Sequence, residues 1–492
     1  MILFFNPRAT RPKNRRYPLS ILALAAMIEG KEDYAIVDGN LEDYPSASIE
    51  RIMRERRARM LAVTVMPGPQ MVAAIPVCRW LKETHPDVPI VWGGYFPTIY
   101  PDAALNANYV DFVVRGQGED TFVELLVALE GDRKFTGIPG LSFKDAFGLH
   151  VHNPERPLRS PGDFPMMPYH RLDPAKYLLP SFLGSRTVVH QASIGCPFQC
   201  NFCGVVGFSG SREKMETPER TAAVLGRLRH DYGANAVQFY DNNFFLREDH
   251  ARELAERLAP LGMNWWCEAR VDAVLRYSDD TLRKIRQSGC VMIFCGVESG
   301  SNKKLAEMKK EITAEQSLEL AARMRQADIV PEYSLIFGDP RDSETDFHET
   351  VAFARQVKRI NPDIEIIVQT YVPVPQRRGE MYGRLDGNPC SGFDNCTPVS
   401  AKPGIRCSRP PLEWQTMDIE FHAPRFDASG KKIANPRATL FFNGTVLYDD
   451  RELGPVTLNA ARLGEAPTGP IQLQEHGMPV QFRNIWVVEA SK

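Results

Sequence analysis

The sequence carries no excess of charge of either sign. Its 59 basic and 61 acidic side chains leave a net charge of −2, which excludes the basic footprint expected of a nucleic-acid-binding protein. It also lacks any apolar stretch close to the ~20 residues of a membrane span, so no span is expected. The nearest approach, Leu19 to Ile28, follows Arg15-Arg16 as an export signal would. That run is short, ends at Glu29, has no clear small-residue cleavage site and comes after the strand-like Ile2 to Asn6. A buried helix in a cytoplasmic protein is the expectation. Cysteine is scarce, 10 in 492 residues, which excludes a disulfide scaffold and makes any clustered thiols metal ligands in a reducing compartment. With 43% hydrophobic and 24% charged residues the chain is globular, and its length predicts two or three domains.

Three of the ten cysteines stand together in Ser193-Ile194-Gly195-Cys196-Pro197-Phe198-Gln199-Cys200-Asn201-Phe202-Cys203-Gly204. A CxxxCxxC run places three thiolates on one short loop, where they bind three irons of a 4Fe-4S cube and leave the fourth without a protein ligand. Two other readings stand beside this one. Structural zinc wants four closed ligands, and His190 is the only imidazole within reach on the N-terminal side. Three incidental buried thiols are the third reading. Cys267, Cys290 and Cys295 lie in apolar segments, where a free thiol behaves as a small hydrophobe.

The loop resembles the signature of the radical SAM superfamily. The resemblance implies that the open iron chelates S-adenosylmethionine (SAM), that an electron from the cluster cleaves it to a 5'-deoxyadenosyl radical, and that Phe202 lies against the adenine. It also implies an electron donor such as a flavodoxin or ferredoxin.

Before the loop, β-rich runs at Ile2-Phe5, Tyr34-Val37, Met60-Val65, Ile90-Trp92 and Phe112-Val114 alternate with helix-length patterns. This rhythm predicts an α/β fold, a doubly wound parallel sheet over residues 1–135, whose ligands sit at the carboxyl ends of the strands. Those ends carry Asp38, Thr64, Gly93, Gly94, Gly116, Gly118 and Glu119; glycines there allow close approach of a flat ligand, or simply make tight turns. The runs Val91-Trp92-Gly93-Gly94-Tyr95-Phe96-Pro97 and Val114-Arg115-Gly116-Gln117-Gly118-Glu119 resemble the cobalamin-binding domain of the cobalamin-dependent radical SAM family, over about residues 1–385. The resemblance implies that these residues hold cobalamin. The DxHxxG motif is missing, since Asp38-Gly39-Asn40-Leu41-Glu42 has no His, so the corrin is expected to bind without a protein His beneath the cobalt. Residues 136–180, rich in proline at 139, 154, 157, 161, 165 and 168, read as an extended linker.

After the Cys loop, about six strand and helix units over residues 181–387 predict a partial (β/α)6 barrel with ligands at strand carboxyl ends. By resemblance to the superfamily, SAM is contacted by Asp241, Asn242 and Asn243 after the second strand, Glu268 and Arg270 at the third, Glu298, Ser299 and Gly300 at the fourth, and Gly338 after the fifth.

From residue 388 the composition changes. A loop-like junction at 388–409, with Cys390, Cys396 and Cys407, leads to turn-separated β runs over 410–492, among them Trp414-Phe421, Ala438-Phe442, Thr445-Tyr448, Ile471-Gln474 and Gln481-Val488. Asn443-Gly444 is a hairpin signal, and a partial β-sandwich is expected. The runs Pro411 to Phe421, Gly469 to Gly477 and Phe482 to Trp486 resemble part of a 3-keto-disaccharide hydrolase domain. The whole resemblance implies an enzyme that cleaves SAM at a 4Fe-4S cluster and methylates an unactivated carbon of a small molecule through cobalamin. A radical cyclisation or rearrangement, or a carbohydrate-directed hydrolase or binding protein acting through the tail, are the alternatives.

Overall fold

The computed structural model describes residues 1–339, 342–371 and 414–452, with residues 485 and 487. Alternation along the first strand shows how the N-terminal domain is built. In β1 (Ile2–Asn6) all five residues are buried: Leu3 and Phe5 enter one hydrophobic core, Ile2 and Phe4 another on the opposite face. A strand buried on both sides belongs to a parallel sheet covered by helices on both faces. β1 pairs in parallel with β2 (Tyr34–Asp38) and β3 (Met60–Thr64), and the sheet continues through β4 (Ile90–Gly93) and β5 (Phe112–Val114). The run Leu19–Ile28 is the expected buried helix, with Ile21, Leu22, Ala25, Ala26 and Ile28 inside.

The stretch expected to be linker contributes more. β6 (Leu141–Lys144) pairs antiparallel with β5, and β7 (His150–His152) with β6, so residues 141–152 add a hairpin to the sheet edge. The extended connector follows it, fixed to the domain where the Tyr177 hydroxyl donates to Asp38 Oδ2 at 2.8 Å.

The second domain opens with β8 (Thr187–His190), then the antiparallel pair β9 (Ser193–Gly195) and β10 (Glu213–Met215). β11 (Ala236–Phe239), β12 (Asn264–Arg270), β13 (Cys290–Glu298), β14 (Val330–Phe337) and β15 (Glu365–Thr370) complete a six-stranded parallel sheet in sequential order from β8. Capping explains why the helices start where they do. Thr313 and Ser343 each form a full capping box, with Gln316 and Asp346, worth about 1 kcal/mol apiece. Cys267, Cys290 and Cys295 are buried among the core residues with Trp265 and Tyr333, as expected of small hydrophobes.

The tail contains small antiparallel sheets. β16 (Met417–His422) pairs with β19 (Arg437–Phe442), β19 with β20 (Thr445–Glu452), and β17 (Arg425–Phe426) with β18 (Lys432–Ala434). Asn443 and Gly444 turn between β19 and β20 with φ of 48° and 79°, the left-handed pair that a two-residue hairpin requires. The expected strands at 471–474 and 481–488, and Cys390, Cys396 and Cys407, fall outside the described residues, apart from the isolated positions 485 and 487. Among the described residues no helix is long and apolar enough to cross a membrane.

Candidate functional site

The Cys loop leaves β9 under strict backbone control. Gly195 has φ 87°, and a Cβ there would collide with the Arg212 carbonyl, so the hairpin closes tightly and the chain turns directly into Cys196. Asn201 then pins the loop from below: its N–H donates to the Met308 carbonyl at 3.1 Å and its side-chain amide to that of Glu307 at 2.7 Å. The Cys203 N–H donates to the Cys200 carbonyl at 3.2 Å. Among the described residues the three sulfurs do not all lie within 4.8 Å of one another. A single zinc at ~2.3 Å from each sulfur would draw them closer than that, whereas a cube holds its thiolates at separate irons. His190 belongs to another pair, its Nε2 2.9 Å from the buried Glu216 Oε2, and it does not gather with the thiols into a four-ligand group among the described residues.

Two cations stand behind the loop. Arg270, at the end of β12, donates through Nη1 to Cys200 Sγ at 3.5 Å and through Nη2 to the Lys310 carbonyl at 2.6 Å. Its Nε bonds Asp272 at 2.9 Å, and its plane covers the Phe198 ring at 3.6 Å. Lys310 Nζ pairs with Glu298 Oε1 at 2.7 Å and lies 5.7 Å from the centre of the Phe202 ring. Burial alone would lower the Lys310 pKa; Glu298 and the Cys200 thiol outweigh it and raise it. Burial pushes the Cys196 thiol up to about 11 and raises Cys203. Iron must therefore displace the thiol protons, and the nearby cations favour the thiolate form that it binds.

Facing the loop is a wall of carboxyl groups. Burial, with Asp241 adding repulsion, raises Glu213 to about 8 and Glu268 to about 7. Asp241 itself is raised to about 6, chiefly by burial, while its Oδ2 accepts the Ala192 N–H at 3.2 Å. Asn243 is buried, its Oδ1 accepting the Arg270 N–H at 3.3 Å and its Nδ2 unpartnered among the described residues, whereas Asn242 is exposed. This wall fits the ammonium and sulfonium charges of SAM. Bound cation favours the carboxylate forms, so binding should release protons and tighten as pH rises from 6 to 8. Calorimetry of SAM binding in buffers of different ionisation heat would read that release directly; affinity flat across this range would contradict it.

The fourth-strand motif divides. Glu298, at φ 72°, turns to Lys310, and Gly296 leaves space for that pair. Ser299 and Gly300 face the other way: Ser299 Oγ lies 2.9 Å from Thr350 Oγ1, and a Cβ on Gly300 would strike Phe353. They anchor the helix Glu344–Ile360. Gly338, φ 87°, has open space about it.

At the edge of the N-terminal sheet the named residues also differ in what they do. Asp38 Oδ1 accepts from Asn6 and Asn40, both at 2.9 Å, and its Oδ2 from Tyr177, so Asp38 ties loops together. Thr64 accepts from Ser20 at 3.2 Å. A Cβ on Gly94, φ 97°, would stand only 3.0 Å from the Val65 backbone, and one on Gly118 only 3.1 Å from the Val114 side chain. A Cβ on Gly93 would make only ordinary contact with Val114, and Gly116 has clear space about it. Burial raises Glu119 to about 6.

The two sites meet at Tyr95, which follows Gly94. Its hydroxyl reaches the Gly204 carbonyl at 3.5 Å, and a Cβ on Gly204 would overlap it. The glycine-rich end of β4 therefore abuts the Cys loop. Tyr95, Lys310 and Glu213 join the site only through the fold. Glu213 alone left a signal, an acidic residue in a short β run a few positions after the Cys loop.

Known proteins show the same organisation. Residues 8–126 match the B12 binding domain, residues 191–354 the radical SAM superfamily, and residues 351–488 the 3-keto-alpha-glucoside-1,2-lyase-like domain. The chain is 29% identical to an uncharacterized methyltransferase of Pyrococcus horikoshii, over 69% of this chain and 73% of that protein. It is 26% identical to the anaerobic magnesium-protoporphyrin IX monomethyl ester cyclase of Synechocystis sp., over 76% and 73%. Its fold matches the radical SAM methyltransferase TsrM of Kitasatospora setae, solved with cobalamin and a 4Fe-4S cluster, at a TM-score of 0.63 and 17% identity, over 78% of this chain and 73% of that one. The 4Fe-4S cluster, SAM and cobalamin are the cofactors typical of such proteins. The chain thus joins a B12-binding domain to a domain of the radical SAM superfamily and ends in a 3-keto-alpha-glucoside-1,2-lyase-like domain.

Proposed function

We propose that this enzyme methylates an unactivated carbon of a small-molecule substrate. The observation that carries the reading is the contact of Tyr95 with Gly204, which sets the glycine-rich cobalamin-type edge directly beside the cluster loop. When bound, the cluster supplies the electron that cleaves SAM, and cobalamin supplies a methyl carrier. The chain's own residues do the positioning. Asn201 and Arg270 hold the thiol loop, and Asp241 and Glu268 receive the cationic end of SAM. Gly93 and Gly116 leave the sheet edge open to a flat macrocycle. An electron donor such as a flavodoxin or ferredoxin fits the need for a reductant.

The resemblance to a cyclase keeps radical ring closure as the second reading. Incubating the reduced enzyme with methyl-labelled SAM and a small-molecule extract separates the two. Methyl transfer is expected to leave S-adenosylhomocysteine and a product carrying the labelled methyl. Turnover that consumes substrate with no label in the product would favour cyclisation.

The cobalamin edge has its own test. A Cβ at Gly93 would meet the Val114 carbonyl at an ordinary 3.7 Å, so Gly93→Ala should fold. It should weaken cobalamin binding measured by absorbance titration while leaving the cluster spectrum unchanged. Wild-type affinity in that variant would move the corrin away from this edge.

A further inference from the structure

The β6–β7 hairpin brings together a donor set separate from the cluster loop and from the carboxyl ends of the parallel strands. His150 and His152 are alternate residues of β7, so both imidazoles project from the same face of this outermost strand. They meet Asp102 of the short helix Pro101–Leu105. His150 Nδ1 lies 2.7 Å and His152 Nε2 3.0 Å from the same oxygen, Asp102 Oδ1. The ligand atoms of the three residues all fall within 4.8 Å of one another, and this is the only group of its kind among the described residues. We propose that Asp102, His150 and His152 bind a divalent transition metal ion, zinc by the chemistry of its donors, at the outer edge of the N-terminal sheet.

Two imidazoles and one carboxylate form a three-ligand zinc set, with water taking the fourth position. The separations must open only slightly, to roughly 3.3 Å, for a tetrahedral ion with bonds of ~2.0–2.1 Å. Asp102 is half exposed, with 45% of its side-chain surface accessible, so water reaches that position. A second observation points the same way. The other nitrogen of His152, Nδ1, lies 2.9 Å from the hydroxyl of Ser142, which is fully buried. This outer bond fixes the ring and directs Nε2 at the site, the arrangement that supports metal-bound histidine. The surroundings are also held in place. Ser142 and His152 are paired across the hairpin, and Lys144 Nζ donates to the Ala107 and Val110 carbonyls at 2.9 and 3.1 Å, fixing the hairpin to the loop after the Asp102 helix. The ion would clamp the hairpin to that helix just where the chain departs for the radical SAM domain. The competing occupant is a proton, which would leave only a hydrogen-bonded Asp–His cluster.

The test uses the full-length protein with its cluster intact, so that the Cys loop is closed to zinc. Anaerobic dialysis against buffered Zn2+, followed by elemental analysis, should leave about one zinc per chain. Asp102→Asn and, separately, His152→Gln should reduce zinc affinity at least roughly tenfold with cluster absorbance and circular dichroism unchanged. Should one variant fail to fold, the other decides. X-ray absorption at the zinc edge should show nitrogen and oxygen neighbours. The proposal is overturned by wild-type protein that retains no zinc, by variants that bind it as tightly, or by sulfur in the coordination shell.

Discussion

Alanine at Cys196, Cys200 or Cys203 is expected to abolish cluster assembly and, with it, all SAM cleavage. The three thiols occupy a loop whose path is set by Gly195, by Asn201 on the Glu307 and Met308 carbonyls, and by Arg270 on Cys200. Among the described residues no other thiol reaches that loop. Cys267, Cys290 and Cys295 are buried in the hydrophobic core of the second domain, and Cys78 in the N-terminal core beside Trp92. Cys290→Ala is the matched control, and should retain both the visible spectrum and the activity at some loss of packing. Iron content and absorbance after anaerobic reconstitution check both variants; a full cluster in Cys200→Ala would mean that the loop is not its site.

The second large effect is expected at Lys310. Lys310→Met leaves the Glu298 carboxylate buried without its partner, at 7% side-chain exposure. Breaking a buried pair from one side costs roughly 3–5 kcal/mol. It also removes a positive charge that lowers the Cys203 pKa. Two consequences separate in denaturant unfolding and iron loading. The double variant Lys310→Met with Glu298→Gln should recover much of the stability, since no charge is stranded. It should still load iron less completely than wild type, because the thiols have lost one of their two cations. Equal stability of the single and double variants would remove the pair from the account.

How far the sequence could be read depended on the range of the interactions. The Cys loop was legible because its ligands lie within eight residues of one another and their spacing is itself the chemistry. The two parallel sheets were legible because β1 to β5 and β11 to β15 are mostly apolar runs separated by helix-length segments. The β6–β7 hairpin was not, because strands of four and three residues amid prolines carry too little pattern. Lys310 stood in the run Lys309-Lys310-Glu311, which looks like a solvated surface. Only the fold folds it beneath Phe202, between left-handed residues at Lys309 and Glu311. Tyr95 acquires its place from a contact 109 residues away. Ser299 and Gly300 adjoin Glu298 in sequence, yet the turn after β13 sends them to the helix behind the sheet, a reversal that strand-end position alone does not reveal.

The most direct test of the central claim is reductive SAM cleavage by the anaerobically reconstituted protein. The account predicts about four irons per chain, visible cluster absorbance, and formation of 5'-deoxyadenosine from SAM on reduction, all lost in Cys200→Ala. A protein that loads the cluster but forms no 5'-deoxyadenosine, or that binds no cluster at all, would contradict it.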